Sequence, residues 1–104
     1  MENKTKAQTF IGFVIRTGKF SIGLNAVQTL KKIKLLIVCK SASENTKDKA
    51  KSIKNKYACP MLITVSHTLD QLTSKENAKV MAVTDDALAK AIIENSEKDF
   101  IAID

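Results

Sequence analysis

Apolar residues recur along this chain in two rhythms. In the first, Phe10, Phe13 and Val14 fall at helical spacing from about Ala7 onward, and Gly18 ends the run with a residue that accepts a left-handed backbone. The next hexapeptide, GKFSIG from Gly18 to Gly23, reads as a short extended link between helices. A second helix is expected from Gly23 or Leu24, packing Val27 and Leu30 ahead of the cluster Lys31, Lys32 and Lys34.

The second rhythm is short and unbroken. Leu35–Cys39 (LLIVC), Met61–Val65 (MLITV) and Val80–Thr84 (VMAVT) have the length and branching of buried strands. A third helix separates the first two: Ser41 and Glu44 have capping-box spacing, and Thr46, Ala50, Ile53 and Tyr57 follow one face. Pro60 closes it. A weaker helical segment is expected over Leu69–Thr73. Asp85 and Asp86 then stand at the favourable positive end of a last helix, Asp86–Glu94, whose core face is Leu88, Ala91 and Ile92. Met1–Lys6 is polar and expected to fray. Glu97–Asp104 (EKDFIAID) is open between a short extra strand, favoured by Phe100, Ile101 and Ile103, and a flexible tail.

Buried strands alternating with amphipathic helices predict an α/β fold in three layers, an α/β/α sandwich. The chain of 104 residues fits one domain, spanning 1–104 with flexible ends at 1–6 and 97–104.

Charge narrows the partners. The net charge is +6, and it is unevenly spread: residues 1–60 hold 13 Lys or Arg against 3 Asp or Glu, a net +10, whereas 61–104 hold 4 against 8, a net −4. Such a bias favours nucleic acid, an acidic partner or an anionic surface. Cys39 and Cys59 lie in or beside apolar runs without zinc-site spacing, and read as buried free thiols of a reduced, cytoplasmic protein. No apolar run reaches the roughly 18 residues of a membrane span, so no membrane association is expected.

Catalytic chemistry finds little to work with. His67 stands beside a strand with no recognisable partner, and Asp85 and Asp86 are explained by helix capping. Gly12, Gly18 and Gly23 form neither a dinucleotide fingerprint nor a Walker arrangement. The expectation is a non-enzyme without cofactor or metal. RNA makes better use of the opening stretch IGFVIRTGKFSIGLNAV, in which Arg16 and Lys19 flank a turn and Gly23 leaves the next backbone amides approachable. Asn25 offers donor and acceptor in one plane, as base recognition requires, although helix capping explains a Gly-x-Asn equally well. The lysines of the third helix read either as a solvated face or as phosphate contacts.

In that context IGFVIRTGKFSIG, KLLIVCKSASENTKDK, YACP and VMAVTDDALAKAI stand as ordered landmarks over about Phe10 to Ile93. Their series resembles the YlxQ-like bacterial branch of the ribosomal L7Ae family of kink-turn RNA-binding proteins. The resemblance implies a four-stranded mixed sheet between helices and a ribosome-associated, monomeric protein that binds structured RNA, ribosomal RNA above all, at a sharply bent internal loop. It places Gly23, Leu24 and Asn25 at the first RNA element, Lys40, Ser41 and Ala42 at the second, and Thr68, Leu69 and Asp70 at the third. Leu69 would cover an extruded base, with Arg16, Lys19, Lys31 and Lys32 neutralising phosphates. The chain departs from the family pattern at Ala26, Thr29, Asp70 and Ser74. Those departures motivate the alternative of a protein-interaction or scaffold domain that keeps the fold without specific kink-turn recognition.

Overall fold

The structure is a computed structural model that describes residues 5–96 and 99–103. The elements in order are α1 (Lys6–Thr17), β1 (Phe20–Ile22), α2 (Leu24–Gln28), β2 (Leu35–Val38), α3 (Glu44–Tyr57), β3 (Met61–Thr64), α4 (Leu69–Thr73), β4 (Val80–Val83), α5 (Asp86–Glu94) and β5 (Phe100–Ile103). The five strands form one mixed sheet in the order β1-β4-β2-β3-β5, in which β2 and β3 are parallel and every other pairing is antiparallel.

The fold is α/β, but the sheet has five strands where four were expected. Relative to the three strands read from the apolar runs, the two additions are the edges. The stretch read as an extended link becomes β1, with Phe20 opposite Val83 and Ile22 opposite Met81. The C-terminal segment becomes β5, with Ile101 opposite Ile63 and Ile103 opposite Met61. Each is an edge strand fixed by pairing to one neighbouring strand, and neither is buried along its whole length as β2 and β4 are. The frayed start is corrected in part too: α1 begins at Lys6, capped by Thr5, whose hydroxyl accepts from the Gln8 N–H at 3.2 Å. Residues 1–4, 97, 98 and 104, within the ends expected to be flexible, lie outside the described residues.

Alternation along the strands sorts the core onto two faces. Leu35 and Ile37 of β2 join Met81 and Val83 under α1, α4 and α5, which contribute Ile11, Val14, Leu69 and Ile92. Leu36 and Val38 join Met61, Val80 and Ala82 on the other face, beneath Val27 of α2 and Ala50 and Ile53 of α3. Helices therefore cover both faces. Burial of a large aliphatic side chain here contributes about 1.5–3 kcal/mol.

Three local expectations change. Phe13 is 39% exposed because Ala7, Ile11 and Val14 make the buried stripe of α1, leaving Phe13 on the opposite side. The cap of α3 is Ser43, whose Oγ accepts from the Thr46 N–H at 3.1 Å, so Ser41 stays free for the loop. In α5 the fully covered positions are Ala89 and Ile92, not Ala91. Both cysteines are buried free thiols. No helix among the described residues is long and apolar enough to cross a membrane.

Candidate nucleic-acid interface

Strand directions bring one set of loops together. The C-terminal ends of β1, β2 and β3 lie at the same end of the sheet as the start of β4. There the Gly23 N–H donates to the Val80 carbonyl at 2.9 Å, and the Cys39 N–H donates to the Lys79 carbonyl at 2.8 Å. Two loops far apart in sequence are thus pinned to consecutive residues of one chain segment.

Gly23 has φ 98 and ψ 144, a backbone state that side-chain-bearing residues rarely adopt, and a Cβ built on it would meet nothing within 4 Å. The space above it is open. It begins α2 without a side-chain cap, and Asn25 just beyond it is exposed. Leu24 is half-buried against the α2–α3 core.

The second loop carries charge. The Lys40 backbone N–H donates to Thr64 Oγ1 at 2.9 Å and its Nζ reaches the Val65 carbonyl at 3.2 Å, while Lys79 Nζ donates to Ser41 Oγ at 2.8 Å. Both ammonium groups rest on neutral hydrogen-bond acceptors, and the Lys79 charge also acts on the Asp70 carboxyl. Ala42 is buried and turns the chain into α3, its N–H donating to the Cys39 carbonyl at 3.0 Å. Cys39 Sγ lies 3.1 Å from Ser41 Oγ and accepts the Leu69 N–H at 3.3 Å. Burial raises that thiol, but the Leu69 N–H, the Ser41 contacts and the Lys79 charge outweigh it and leave it below its ordinary value. At Cys59, burial prevails and the thiol is raised.

The third loop differs from expectation at its centre. Leu69 is 0% exposed and packs in the core beneath α1, so its side chain offers no surface to an extruded base. A capping box explains the orientation: Thr68 Oγ1 accepts from the Gln71 N–H, and Gln71 Oε1 accepts from the Thr68 N–H at 2.9 Å, which turns the first residue of α4 inward. Asp70 is half-buried, and its carboxyl lies below the usual range, chiefly through the Thr68 hydroxyl, with the Lys79 charge assisting against burial. Ser74 ends α4 at φ 60 and ψ 25, a left-handed position.

Four sequence candidates fall elsewhere. Lys19 precedes β1, and its carbonyl accepts from the Thr84 N–H beyond the far end of β4. With three strand residues between them, Lys19 and Gly23 are four steps apart, about 13 Å of extended chain. Arg16 ends α1 with its guanidinium 4.9 Å over the Phe13 ring. Lys31 and Lys32 are exposed in the α2–β2 connection, also at the opposite end. The turn that places Arg16 and Lys19 beside Gly23 in sequence is undone by the strand between them. Lys79, in contrast, escaped the sequence reading. Its position just before a strand was legible, but only the β2–β4 register sets it beside Ser41.

A separate polar cluster ties three segments together. The buried Asp99 carboxylate accepts from Ser66 Oγ at 2.6 Å, from Gln8 Nε2 at 3.0 Å and from the Thr5 hydroxyl, and His67 Nδ1 lies 3.0 Å from Ser66 Oγ. Serine, histidine and aspartate meet here in an order unlike that of a proton relay. The hydroxyl sits between imidazole and carboxylate, whereas nucleophile activation needs the imidazole in the middle.

No family model matches the chain, and no curated protein matches it. Among solved structures, a protein of unknown function from Bacillus halodurans C is similar, with a TM-score of 0.77 and 20% sequence identity over 91% of this chain and 100% of that one. At that identity the likeness is one of fold.

Proposed function

We propose that this protein is a cytoplasmic, ribosome-associated member of the L7Ae family, YlxQ-like branch, that binds structured RNA at a kink-turn or a similar sharply bent internal loop. The observation that carries the reading is the convergence of Gly23–Asn25 and Lys40–Ala42 on the adjacent residues Val80 and Lys79. Three features of that end suit bent RNA. Gly23 permits close approach of a nucleic-acid backbone, the exposed Asn25 amide matches a purine edge, and Lys40 and Lys79 supply charge where phosphates converge. Ser74, one of the departures from the family pattern, holds a left-handed backbone, a state that glycine adopts readily.

Recognition in this reading is division of labour. Lys40 and Lys79 provide salt-sensitive affinity, and the rigid Gly23–Asn25 edge provides selectivity for shape and base. Leu69 acts beneath the surface, holding the third loop against Cys39. Arg16 and Lys19 are left out of the bent-loop contact by their distance.

Amide shift mapping tests the proposal. Titration of isotopically labelled protein with a kink-turn stem is expected to perturb Gly23–Val27, Lys40–Ala42 and Lys79 while sparing Arg16 and Lys19. Perturbations centred on another surface, or none from a folded protein, would overturn it.

A further inference from the structure

The groove between α2 and α3 has a role that the bent-loop site leaves unassigned. It is lined by Asn25 and Gln28 from α2 and by Lys49, Ser52, Ile53 and Lys56 from α3, and encloses about 530 Å³. That volume lies within the range of ligand pockets. No acidic residue lines it. Residues 49, 52, 53 and 56 follow the i, i+3, i+4, i+7 spacing of one helical face, so α3 presents a continuous stripe to α2.

Its lining combines positive charge with hydrogen-bonding side chains. Lys49 and Lys56 stand two helical turns apart, and among the described residues neither meets a carboxylate; the salt bridge of α3 is Lys47–Glu44, at 3.8 Å. Asn25 and Gln28 carry planar amides that donate and accept, and Ser52 adds a hydroxyl, a set suited to base edges and ribose hydroxyls. Ile53, 5% exposed, gives the floor an apolar patch. The far end is held in shape by Tyr57, whose hydroxyl lies 3.1 Å from the Gln28 carbonyl and 2.6 Å from that of Leu30.

Position matters as much as composition. Both helices run from the end carrying Gly23 and Lys40 toward the opposite end, so the groove starts at Asn25 and leads to the exposed Lys31 and Lys32. Asn25 belongs to both surfaces. Two lysines assigned to RNA by sequence, yet remote from the bent-loop site, are exposed in the connection that follows α2 at the opposite end.

We infer that the α2–α3 groove seats an unpaired strand of the bound RNA, running from Asn25 past Lys49 and Lys56 to Lys31 and Lys32. The inference rests on the proposed RNA-binding reading and extends it from a bend to the single strand that leaves it. The lysine row on α3, which by itself reads as a solvated face, is then divided: Lys49 and Lys56 line the track, whereas Lys51 and Lys54 point away from it by helical geometry.

The test compares, at one salt concentration, a kink-turn stem, the same stem with an unpaired oligouridine extension, a straight duplex and that duplex with the same extension. The extension should tighten binding of the kink-turn stem at least fivefold. Lys49→Gln combined with Lys56→Gln should abolish that gain, whereas the charge-matched pair Lys51→Gln and Lys54→Gln should retain it. No gain in the unaltered protein, or equal loss in both pairs, overturns the groove assignment. The bent-loop reading is judged separately by kink-turn stem against straight duplex. Should that preference be absent, a gain on the extended duplex that only the Lys49/Lys56 pair removes still supports a strand seat, and its absence overturns it.

Discussion

The Gly23 N–H donates to the Val80 carbonyl at 2.9 Å, which fixes the residue opening α2 to the first residue of β4. The neighbouring Lys79 carbonyl holds the Cys39 N–H, so both loops are tied to consecutive residues at the start of β4. Such anchoring would reduce the ordering that the proposed RNA contact requires.

Substituting Gly23 tests that edge from the backbone side. A Cβ meets no atom within 4 Å, so Gly23→Ala introduces no clash and its effect is conformational. The φ of 98 should cost about 1–3 kcal/mol of stability, measurable by urea denaturation. Unchanged stability would show that the junction relaxes freely.

Side chains at the same end divide by role. Asn25→Ala is expected to weaken kink-turn binding by about 1–3 kcal/mol while barely changing binding to a straight duplex. Lys40→Gln or Lys79→Gln should weaken both RNAs and lower the salt slope by about 1. Equal effects of all three substitutions on both RNAs in anisotropy titrations would refute the division.

Ser74 offers a stability test outside the edge. It adopts a left-handed backbone at φ 60, a state that costs about 1–2 kcal/mol for residues bearing a Cβ. Part of that is offset by the greater unfolded-state freedom of glycine. Ser74→Gly should therefore raise stability by up to about 1 kcal/mol in thermal or urea unfolding. Destabilisation would mean that the hydroxyl has a role the backbone does not explain.

Acid should loosen the tie between the chain ends through Asp99. Burial raises this carboxyl, but donation from Ser66, Thr5 and Gln8, with the His67 charge, outweighs it and holds the group below its ordinary value. A carboxylate whose folded pKa lies below its unfolded one contributes stability above the unfolded value and loses it as pH falls through the folded value. Asp99→Asn should thus narrow its deficit against the unaltered protein as pH falls from about 5 toward 2. Parallel stability profiles over that range would remove Asp99 as the source.

Periodicity sufficed where burial imposed it. Leu35–Cys39, Met61–Val65 and Val80–Thr84 are long enough apolar runs to declare themselves, and Leu69–Thr73 and Asp86–Glu94 match their helices residue for residue. Phe20–Ile22 and Phe100–Ile103 did not, because an edge strand derives its structure from a partner that local pattern does not name. The candidate site followed the same rule. Lys40 and Ser41 were readable as loop residues following a strand, and Gly23 and Asn25 as the start of a helix, whereas Lys79 required the β2–β4 register and Arg16 and Lys19 were misplaced by ignoring β1. Leu69 was assigned to a base contact by the resemblance alone, and the capping box at Thr68 turns it inward.

Binding of a kink-turn stem, a straight duplex of equal length and an unstructured strand should be compared across rising salt. Preference for the kink-turn stem that persists as salt weakens all three is the predicted result, since shape and base contacts survive screening that phosphate attraction does not. Equal affinities that fall together with salt would contradict kink-turn recognition and leave only general attraction between a basic surface and phosphate.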